Sequence, residues 1–313
     1  MRLSSTAQAV KLILITTMLS AVSYVQAADS ITVAFTGDIL LDRGVRQIIN
    51  HHSPDALFSP SIDSLFAHTD IVVGNLECPA TDINEPCYKR FIFRAEPEWL
   101  HTLKKHHITH LNLANNHSVD QGRRGLMSTI QNIRDAEMIP FGAGTNMSEA
   151  AEPVLIAKEP REVYLVASLR LPLEALPYLP DEPSVSQESF NDMIARVANL
   201  RAQHPEACII VTLHWGIEHT TKPTAQQRLE AHRIIDAGAD AIIGHHTHTM
   251  QTIEKYHGKP IYYSIGNFIF DQRQPKNTRA CIVKATITPD ELKFDTLPVE
   301  IVNCTPHIIH KAQ

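Results

Sequence analysis

Residues 241–248 read Ala-Ile-Ile-Gly-His-His-Thr-His, a short apolar run followed by three histidines within four positions. Five other apolar runs along the chain also end in polar residues of types that bind metals or transfer protons. The motifs that end them are Thr36-Gly37-Asp38, Gly74-Asn75-Leu76-Glu77, Ala114-Asn115-Asn116-His117, His214-Trp215-Gly216 and Ser264-Ile265-Gly266-Asn267. The length of these runs and their β-branched residues predict six buried β-strands.

Helical stretches lie between the predicted strands. Apolar residues at three- and four-residue spacing predict helices at 96–107, 122–138, 190–203 and 224–237. Alternating strands and helices predict an α/β fold with a largely parallel central sheet. In such sheets ligands bind beyond the carboxyl ends of the strands, so the polar motifs are expected to meet at one edge.

Composition narrows the class of protein. The 313-residue chain has 28 Lys and Arg residues against 34 Asp and Glu residues, a formal net charge of −6, and no dense basic run. It therefore lacks the electrostatic surface expected of a nucleic-acid-binding protein. Hydrophobic residues make up 43% of the chain and charged residues 20%, which excludes coiled-coil, collagen-like and disordered classes.

The first 27 residues match a secretory signal peptide. Arg2 and Lys11 supply the positive segment, residues 12–25 are mostly apolar, and Ala27 ends a small-residue cleavage motif. We expect cleavage after Ala27, with residues 28–313 forming one exported domain in the periplasm or cell envelope. The alternative is that the segment stays uncleaved as an N-terminal anchor.

Export would permit disulfide bonds between the cysteines. Cys78 and Cys87 bracket a proline-containing loop that one bridge could close. No C-x-x-C motif is present, so the sequence gives no support for a structural zinc site or a redox pair.

The polar residues that end the predicted strands form a mixed oxygen and nitrogen ligand set. This set comprises Asp38, Glu77, Asn116, His214, His246 and His248. Such ligands suit Mn, Fe, Zn or Mg better than soft metals. His246 and His248 lie two apart, so in an extended segment both rings project to one side. His117 follows Asn116 directly and is a candidate acid or anion clamp.

The same motifs resemble the CapA family, which includes the PgsA proteins of poly-γ-glutamate capsule synthesis. The resemblance runs from about Ile31 to Lys284, with the motifs in the same order, and includes His214-Trp215-Gly216-Ile217-Glu218. The CapA family is similar in turn to the calcineurin-like metallophosphoesterases. The resemblance therefore implies a four-layered α/β/β/α metallophosphatase-like sandwich in a single domain, with a two-metal site.

The resemblance also implies roles for individual residues. Asp38 resembles the first metal ligand, Asn116 the asparagine ligand, His214 the isolated histidine ligand, and His246 with His248 the terminal H-x-H pair. His117 resembles the catalytic histidine beside the asparagine.

Two positions depart from the metallophosphoesterase pattern. The bridging aspartate would fall at Asn75, but a metal bridge needs a charged oxygen, so we expect Glu77 to bridge. A histidine usually stands two residues after the first aspartate, where this chain has Leu40. We therefore expect one tight divalent metal through Glu77, Asn116, His214 and His246. A second, weak metal would use Asp38, Glu77 and His248.

Five further residues are expected to support the site. They are Asn75, Asn115, Glu218, His245 and Asn267. Glu218 could orient His214 as an outer carboxylate, or could simply be solvated.

Two hypotheses on function follow. The first is an exported, metal-dependent hydrolase or transferase that acts on a cell-envelope polymer or its precursor in capsule or poly-γ-glutamate biosynthesis, with capsule synthase subunits as partners. The alternative is a non-catalytic capsule-assembly or binding factor with a degenerate metal site. Leu40 favours the second hypothesis, and the Asn116-His117 pair favours the first.

Overall fold

The computed structural model describes residues 29–309. The predicted signal peptide and its cleavage site lie outside these residues. Within residues 29–309, no helix has both the length and the apolar character needed to cross a membrane.

The first of two large sheets contains eight strands among the described residues. They are β1 (Ile31–Ile39), β2 (Ile71–Leu76), β3 (His110–Asn112), β4 (Ile139–Phe141), β13 (Asn267–Ile269), β14 (Arg279–Ile287), β15 (Leu292–Val302) and β16 (Thr305–Ile308). Their spatial order is β16-β15-β14-β1-β2-β3-β4, with β13 paired with β1. Strands β1 to β4 run parallel, whereas β14, β15 and β16 are antiparallel.

The second sheet contains six strands among residues 29–309. They are β6 (Val154–Ala157), β7 (Val163–Leu169), β9 (Cys208–His214), β10 (Ala241–His245), β11 (Ile253–Tyr256) and β12 (Lys259–Tyr262). Their spatial order is β11-β12-β10-β9-β7-β6. A separate short ribbon pairs β5 (Ala143–Gly144) with β8 (Ser184–Val185).

The helices connect the strands and cover the outer faces of the sheets. They are α1 (Arg43–His51), α2 (Pro60–Ala67), α3 (Trp99–Lys105), α4 (Gly122–Asp135), α5 (Met147–Ala150), α6 (Phe190–Gln203) and α7 (Ala225–Asp236), with a 3-10 turn at Pro54–Leu57. Helix α7 begins with a capping box, in which Thr224 and Gln227 each bond the other's backbone N–H.

Three apolar clusters hold these layers together. The middle cluster packs Phe35 and Val73 of the first sheet against Ile210 and Ile243 of the second. One outer cluster joins the first sheet to helices α1 to α4, and the other joins the second sheet to α6 and α7. The layers are therefore helix, sheet, sheet and helix, which confirms the four-layered α/β/β/α sandwich.

The cysteines correct one prediction. Cys78 and Cys87 are both free thiols, so the expected bridge between them is not formed. The Cys78 sulfur accepts a hydrogen bond from the Leu41 N–H at 3.4 Å, and the Cys87 thiol donates to the Val119 carbonyl at 3.2 Å. The two thiols therefore engage different parts of the backbone.

Candidate metal centre

Strand register brings the polar motifs to one edge of the sandwich. Asp38 of β1 lies opposite Asn75 of β2, and His214 of β9 lies opposite His245 of β10. Glycine permits the close approach this requires. A Cβ added at Gly244 would lie 2.0 Å from the Tyr263 carbonyl oxygen, a separation that no side chain can adopt. The predicted convergence of strand ends is therefore observed.

A first ligand group surrounds the Nε2 atom of His214. This atom lies 2.9 Å from Asn116 Oδ1, 3.2 Å from His246 Nδ1 and 3.5 Å from Glu77 Oε1. Ligands bonded at about 2.1 Å to one metal are spaced roughly 3.0–3.4 Å apart in octahedral or tetrahedral geometry. The three separations from His214 Nε2 are therefore close to those within a coordination shell.

A second ligand group shares Glu77 with the first. Asp38, Glu77 and His248 each offer one ligand atom, and these atoms lie within 4.8 Å of one another. His248 Nδ1 is 3.4 Å from Asp38 Oδ2, and its Nε2 is 3.9 Å from Glu77 Oε1. Leu40 is fully buried in the apolar cluster beneath the helices and contributes nothing here. The second group therefore offers three protein side chains, against four in the first.

The Glu77 carboxylate shows that these residues fit a cation. Both of its oxygens are buried, and neither has a hydrogen-bond partner within residues 29–309. Burial, together with the negative charge of Asp38, raises the pKa of Glu77 well above its ordinary value. A buried carboxylate without partners is costly, and a bound cation removes that cost. The donor set and this orphaned carboxylate therefore suit a divalent metal.

The histidine segment departs from the predicted extended conformation. His246 and His248 have φ values of +90° and +55°, in the region that L-residues seldom adopt. The segment bends after β10, and the His246 N–H points to Asp38 Oδ2 at 3.3 Å. Strained backbone of this kind concentrates at functional sites, where surrounding contacts hold it in place.

Three of the predicted supporting residues lie where they can orient ligands. Asn267 Oδ1 accepts a hydrogen bond from His248 Nδ1 at 2.9 Å, which leaves the Nε2 lone pair of His248 for a metal. The Asn75 amide donates to Asp38 Oδ1 at 2.9 Å. Asn115 donates to the Leu76 carbonyl and accepts from the His117 N–H, so it fixes the loop that carries Asn116.

The other two supporting residues have different positions. His245 directs Nε2 to the Thr36 carbonyl at 3.0 Å and belongs to neither ligand group. Glu218 is exposed and pairs with His219 at 3.7 Å, so it does not orient His214. Gly216, with φ of +93°, turns the chain outward before Glu218. The solvated alternative for Glu218 is the one observed.

The electrostatics around the ligands are set by burial. Burial, with the positive charges of neighbouring histidines, holds the pKa of His214 well below its ordinary value. Burial and the charge of His248 lower the pKa of His246 to about 3. Burial alone would raise the pKa of Asp38, but the hydrogen bond from His248 and the charges of His245 and His248 hold it below its ordinary value. Both first-group histidines are therefore neutral and ready to bind a metal.

His117 lies beside the ligand groups in an arrangement that the sequence analysis found only in part. Its Nδ1–H donates to Asp120 Oδ2 at 2.8 Å, and Asp120 is fully buried. Lys89 pairs with the other oxygen of Asp120 at 2.5 Å and donates to the Asn116 carbonyl at 2.9 Å. The three-residue spacing from His117 to Asp120 was the available signal for this partner. Lys89 comes from a distant loop and carried no such signal.

Comparisons with known proteins identify the family and the fold. The family model for the bacterial capsule synthesis protein PGA_cap matches residues 32–272. The PGA biosynthesis protein CapA of Bacillus subtilis (strain 168) is 30% identical over 292 residues, which cover 90% of this chain and 75% of that protein. The capsule biosynthesis protein CapA of Bacillus anthracis is 27% identical over 324 aligned residues, covering 97% and 78% of the two chains.

A solved structure shares the fold. A hypothetical protein from Thermus thermophilus superposes with a TM-score of 0.51 at 12% identity, covering 86% of this chain and 99% of that one. Identity this low shows a common architecture alone. The match of the family model over most of the chain, together with the Bacillus relatives, carries the assignment: this chain belongs to the bacterial capsule synthesis protein PGA_cap family.

Proposed function

We propose that this protein is an exported, metal-dependent hydrolase or transferase that acts on a cell-envelope polymer, or its precursor, in capsule or poly-γ-glutamate biosynthesis. The observation that carries the proposal is the Glu77 carboxylate, which is buried between two groups of metal-ligating side chains and has no hydrogen-bond partner among the described residues. The names of the Bacillus relatives support the polymer, and capsule synthase subunits are the proposed partners.

The metal would be Mn, Fe, Zn or Mg. Glu77, Asn116, His214 and His246 would hold one ion tightly, and Asp38, Glu77 and His248 would hold a second weakly. Bound there, the metal would supply a Lewis acid and lower the pKa of water at the site. Asn267 would keep His248 in the ligating tautomer throughout.

His117 would protonate the leaving group. Because its Nδ1–H is engaged by Asp120, the proton would be carried and delivered at Nε2. Asp120 fixes the orientation of the ring, and Lys89 balances the charge of that buried carboxylate. Burial lowers the pKa of His117, the bond to Asp120 opposes the change, and a bound anionic substrate would favour the protonated form that a general acid needs.

Export is part of the proposal. The segment 1–27 would direct the chain to the periplasm or cell envelope, and residues 28–313 would act there as one domain. The protein would bind the polymer on the outer side of the membrane, where capsule is assembled.

The rival function is a non-catalytic assembly factor, in which the metal site only binds a ligand or stabilises the fold. The buried Leu40 and the three-ligand second group favour it, because a two-metal mechanism needs both ions held firmly.

The variant His117→Ala tests the proposal. It should keep its fold and metal content but lose turnover by about 10² to 10⁴. The loss should shrink for substrates whose leaving group is a weak base, because these need little protonation. His232→Ala, which removes a histidine of the outer helix α7, is the matched control and should keep full activity.

Two results would contradict the proposal. If His117→Ala cleaves a poor-leaving-group substrate as fast as wild type, the general-acid role is wrong. If the metal-loaded wild type turns over nothing in a broad phosphoester and amide screen yet supports polymer assembly in cells, the assembly factor is the better description.

A further inference from the structure

Two aromatic rings lie between Arg43 and the metal centre, one next to His117 and the other next to His248. Its guanidinium carbon is 5.1 Å from the centre of the Phe93 ring and 5.6 Å from that of Phe270. Phe93 packs on His117 with ring centres 4.4 Å apart, and Phe270 packs on His248 at 4.6 Å. The guanidinium is therefore one ring away from the proposed acid and one ring away from a metal ligand.

The position of Arg43 is imposed by several contacts. Its φ is +52°, and its N–H donates to Asp42 Oδ1 at 2.7 Å. Asp271 pairs with one terminal nitrogen of the guanidinium and also accepts the Gly44 N–H at 3.1 Å. These contacts hold the guanidinium in place, and 37% of the Arg43 side chain nevertheless remains exposed to solvent.

The neighbouring arginines direct their N–H groups to the protein itself. Arg46 bonds Asp42, Glu96 and a backbone carbonyl, and Arg94 bonds Glu96 and the Thr81 carbonyl. Arg43 differs, because its Nε is buried without a hydrogen-bond partner in the described part of the chain. Its side chain is 37% exposed, so the guanidinium is also reachable from solvent.

The overall charge of the chain favours such a group. The chain has a net charge of −6, whereas at the site Lys89 pairs with Asp120, and Asp38 and Glu77 are assigned to metal. A polyanionic substrate would be repelled unless a positive group offset this charge locally.

We propose that Arg43 anchors a carboxylate of the polymer chain next to the linkage that reacts. This inference rests on the proposed function, because it takes the substrate to be a γ-linked glutamate polymer. Each residue of such a polymer keeps one free carboxylate beside its amide bond, so a carboxylate is available near any linkage placed at the metals. The planar fork of arginine matches that group better than the point charge of lysine does.

The test compares two probes on the full chain loaded with Mn²⁺. One probe is penta-γ-glutamate, and the other is the same oligomer with its α-carboxylates converted to amides. Arg43→Gln should weaken binding of the acidic oligomer by about 10- to 100-fold, and should leave binding of the amide oligomer unchanged. Arg43→Lys should recover only part of the loss.

Arg228→Gln is the matched control. Arg228 is also partly exposed, stacks on an aromatic ring (Tyr263, 5.7 Å) and pairs with a carboxylate (Glu254, 3.2 Å), but it lies on the outer helix α7. It should bind both oligomers as wild type does. Equal losses in Arg43→Gln and Arg228→Gln, or no loss in either, would overturn the inference.

The remaining outcomes separate this inference from the proposed function. The carboxylate anchor is wrong if wild type does not prefer the acidic oligomer, or if it prefers a glycerol-phosphate oligomer through Arg43. Either result leaves the proposed hydrolysis open, because His117→Ala tests it separately. If wild type prefers the acidic oligomer through Arg43 but cleaves no substrate, the anchor stands and the proposed hydrolysis falls.

Discussion

The two ligand groups predict that the two metal positions differ in affinity, and single substitutions should separate them. His246 belongs only to the group that contains His214, and His248 belongs only to the group that contains Asp38. His246→Ala should therefore remove the tightly bound metal, whereas His248→Ala should remove only the weakly bound one. Glu77→Gln, which weakens a ligand common to both groups, should remove both.

The expected difference in metal affinity follows from the number of protein ligands. Structural sites with four protein ligands bind zinc with roughly 10–16 kcal/mol, so losing one ligand of four costs about 3 kcal/mol, or about 100-fold in affinity. The second position starts with three ligands and so begins weaker by about the same factor. Wild-type protein dialysed exhaustively should therefore retain close to one metal per chain.

Elemental analysis of the dialysed protein, followed by titration against a chelator of known affinity, measures both positions. Thermal unfolding gives an independent readout, because metal that binds only the folded state raises Tm. His219→Ala is the control, since the His219 ring lies 6.1 Å from that of His248 but belongs to neither group. It should retain wild-type metal content.

The reasoning would be refuted by two equally tight metals in wild type. Unchanged metal content in His246→Ala would refute it as well, and so would an equal loss in His246→Ala and His248→Ala.

Three further predictions concern the rest of the chain. Gly244→Ala should lower the free energy of unfolding by about 3 kcal/mol or more in urea titrations, because the new Cβ overlaps the Tyr263 carbonyl; unchanged stability would contradict this close approach. Burial and the charge of Lys104 lower the pKa of His110 to about 4 from 6.5, so the folded state binds fewer protons and stability should fall by about 3 kcal/mol as pH drops from 6.5 to 4. Urea unfolding at several pH values should show that the free energy of unfolding of His110→Leu lacks this part of the pH dependence. The same pH dependence in the variant and in wild type would contradict the prediction. N-terminal sequencing of envelope-fraction protein should begin at Ala28, and an intact Met1 there would argue against cleavage.

Local pattern was sufficient to predict strands alternating with helices and the edge that carries the site, whereas the four layers were implied by the family resemblance. Buried runs of β-branched residues marked the strands, and the helix predicted at 190–203 has those bounds. The helix predicted at 96–107 is shorter, Trp99–Lys105, because residues beside Pro97 form a turn instead. Glu77 belongs to both ligand groups and the Asn75 amide donates to Asp38, so the bridging role of Glu77 stays a prediction for metal titration to test.

Contacts between residues far apart in the chain could not be predicted from the sequence. Nothing local indicates that Lys89 would reach Asp120, or that Arg43 would lie between Phe93 and Phe270. The spacing of His246 and His248 was interpreted as an extended segment, whereas tertiary contacts impose left-handed backbone at both. Periodicity reports which face of an element is buried, and it carries no information on loops that cross between elements.

The sandwich divides the metal ligands between its two sheets. Asp38 lies in a strand of the first sheet, and Glu77 and Asn116 follow other strands of that sheet. His214, His246 and His248 come from the second sheet, and each ligand group needs members of both sheets. Metal capture is thus tied to docking of two halves that are far apart in sequence. A newly made chain would acquire its metal late, after the sheets have packed, and in whichever compartment that packing is completed. The available metal pool would then be that of the compartment where folding ends rather than where synthesis occurs.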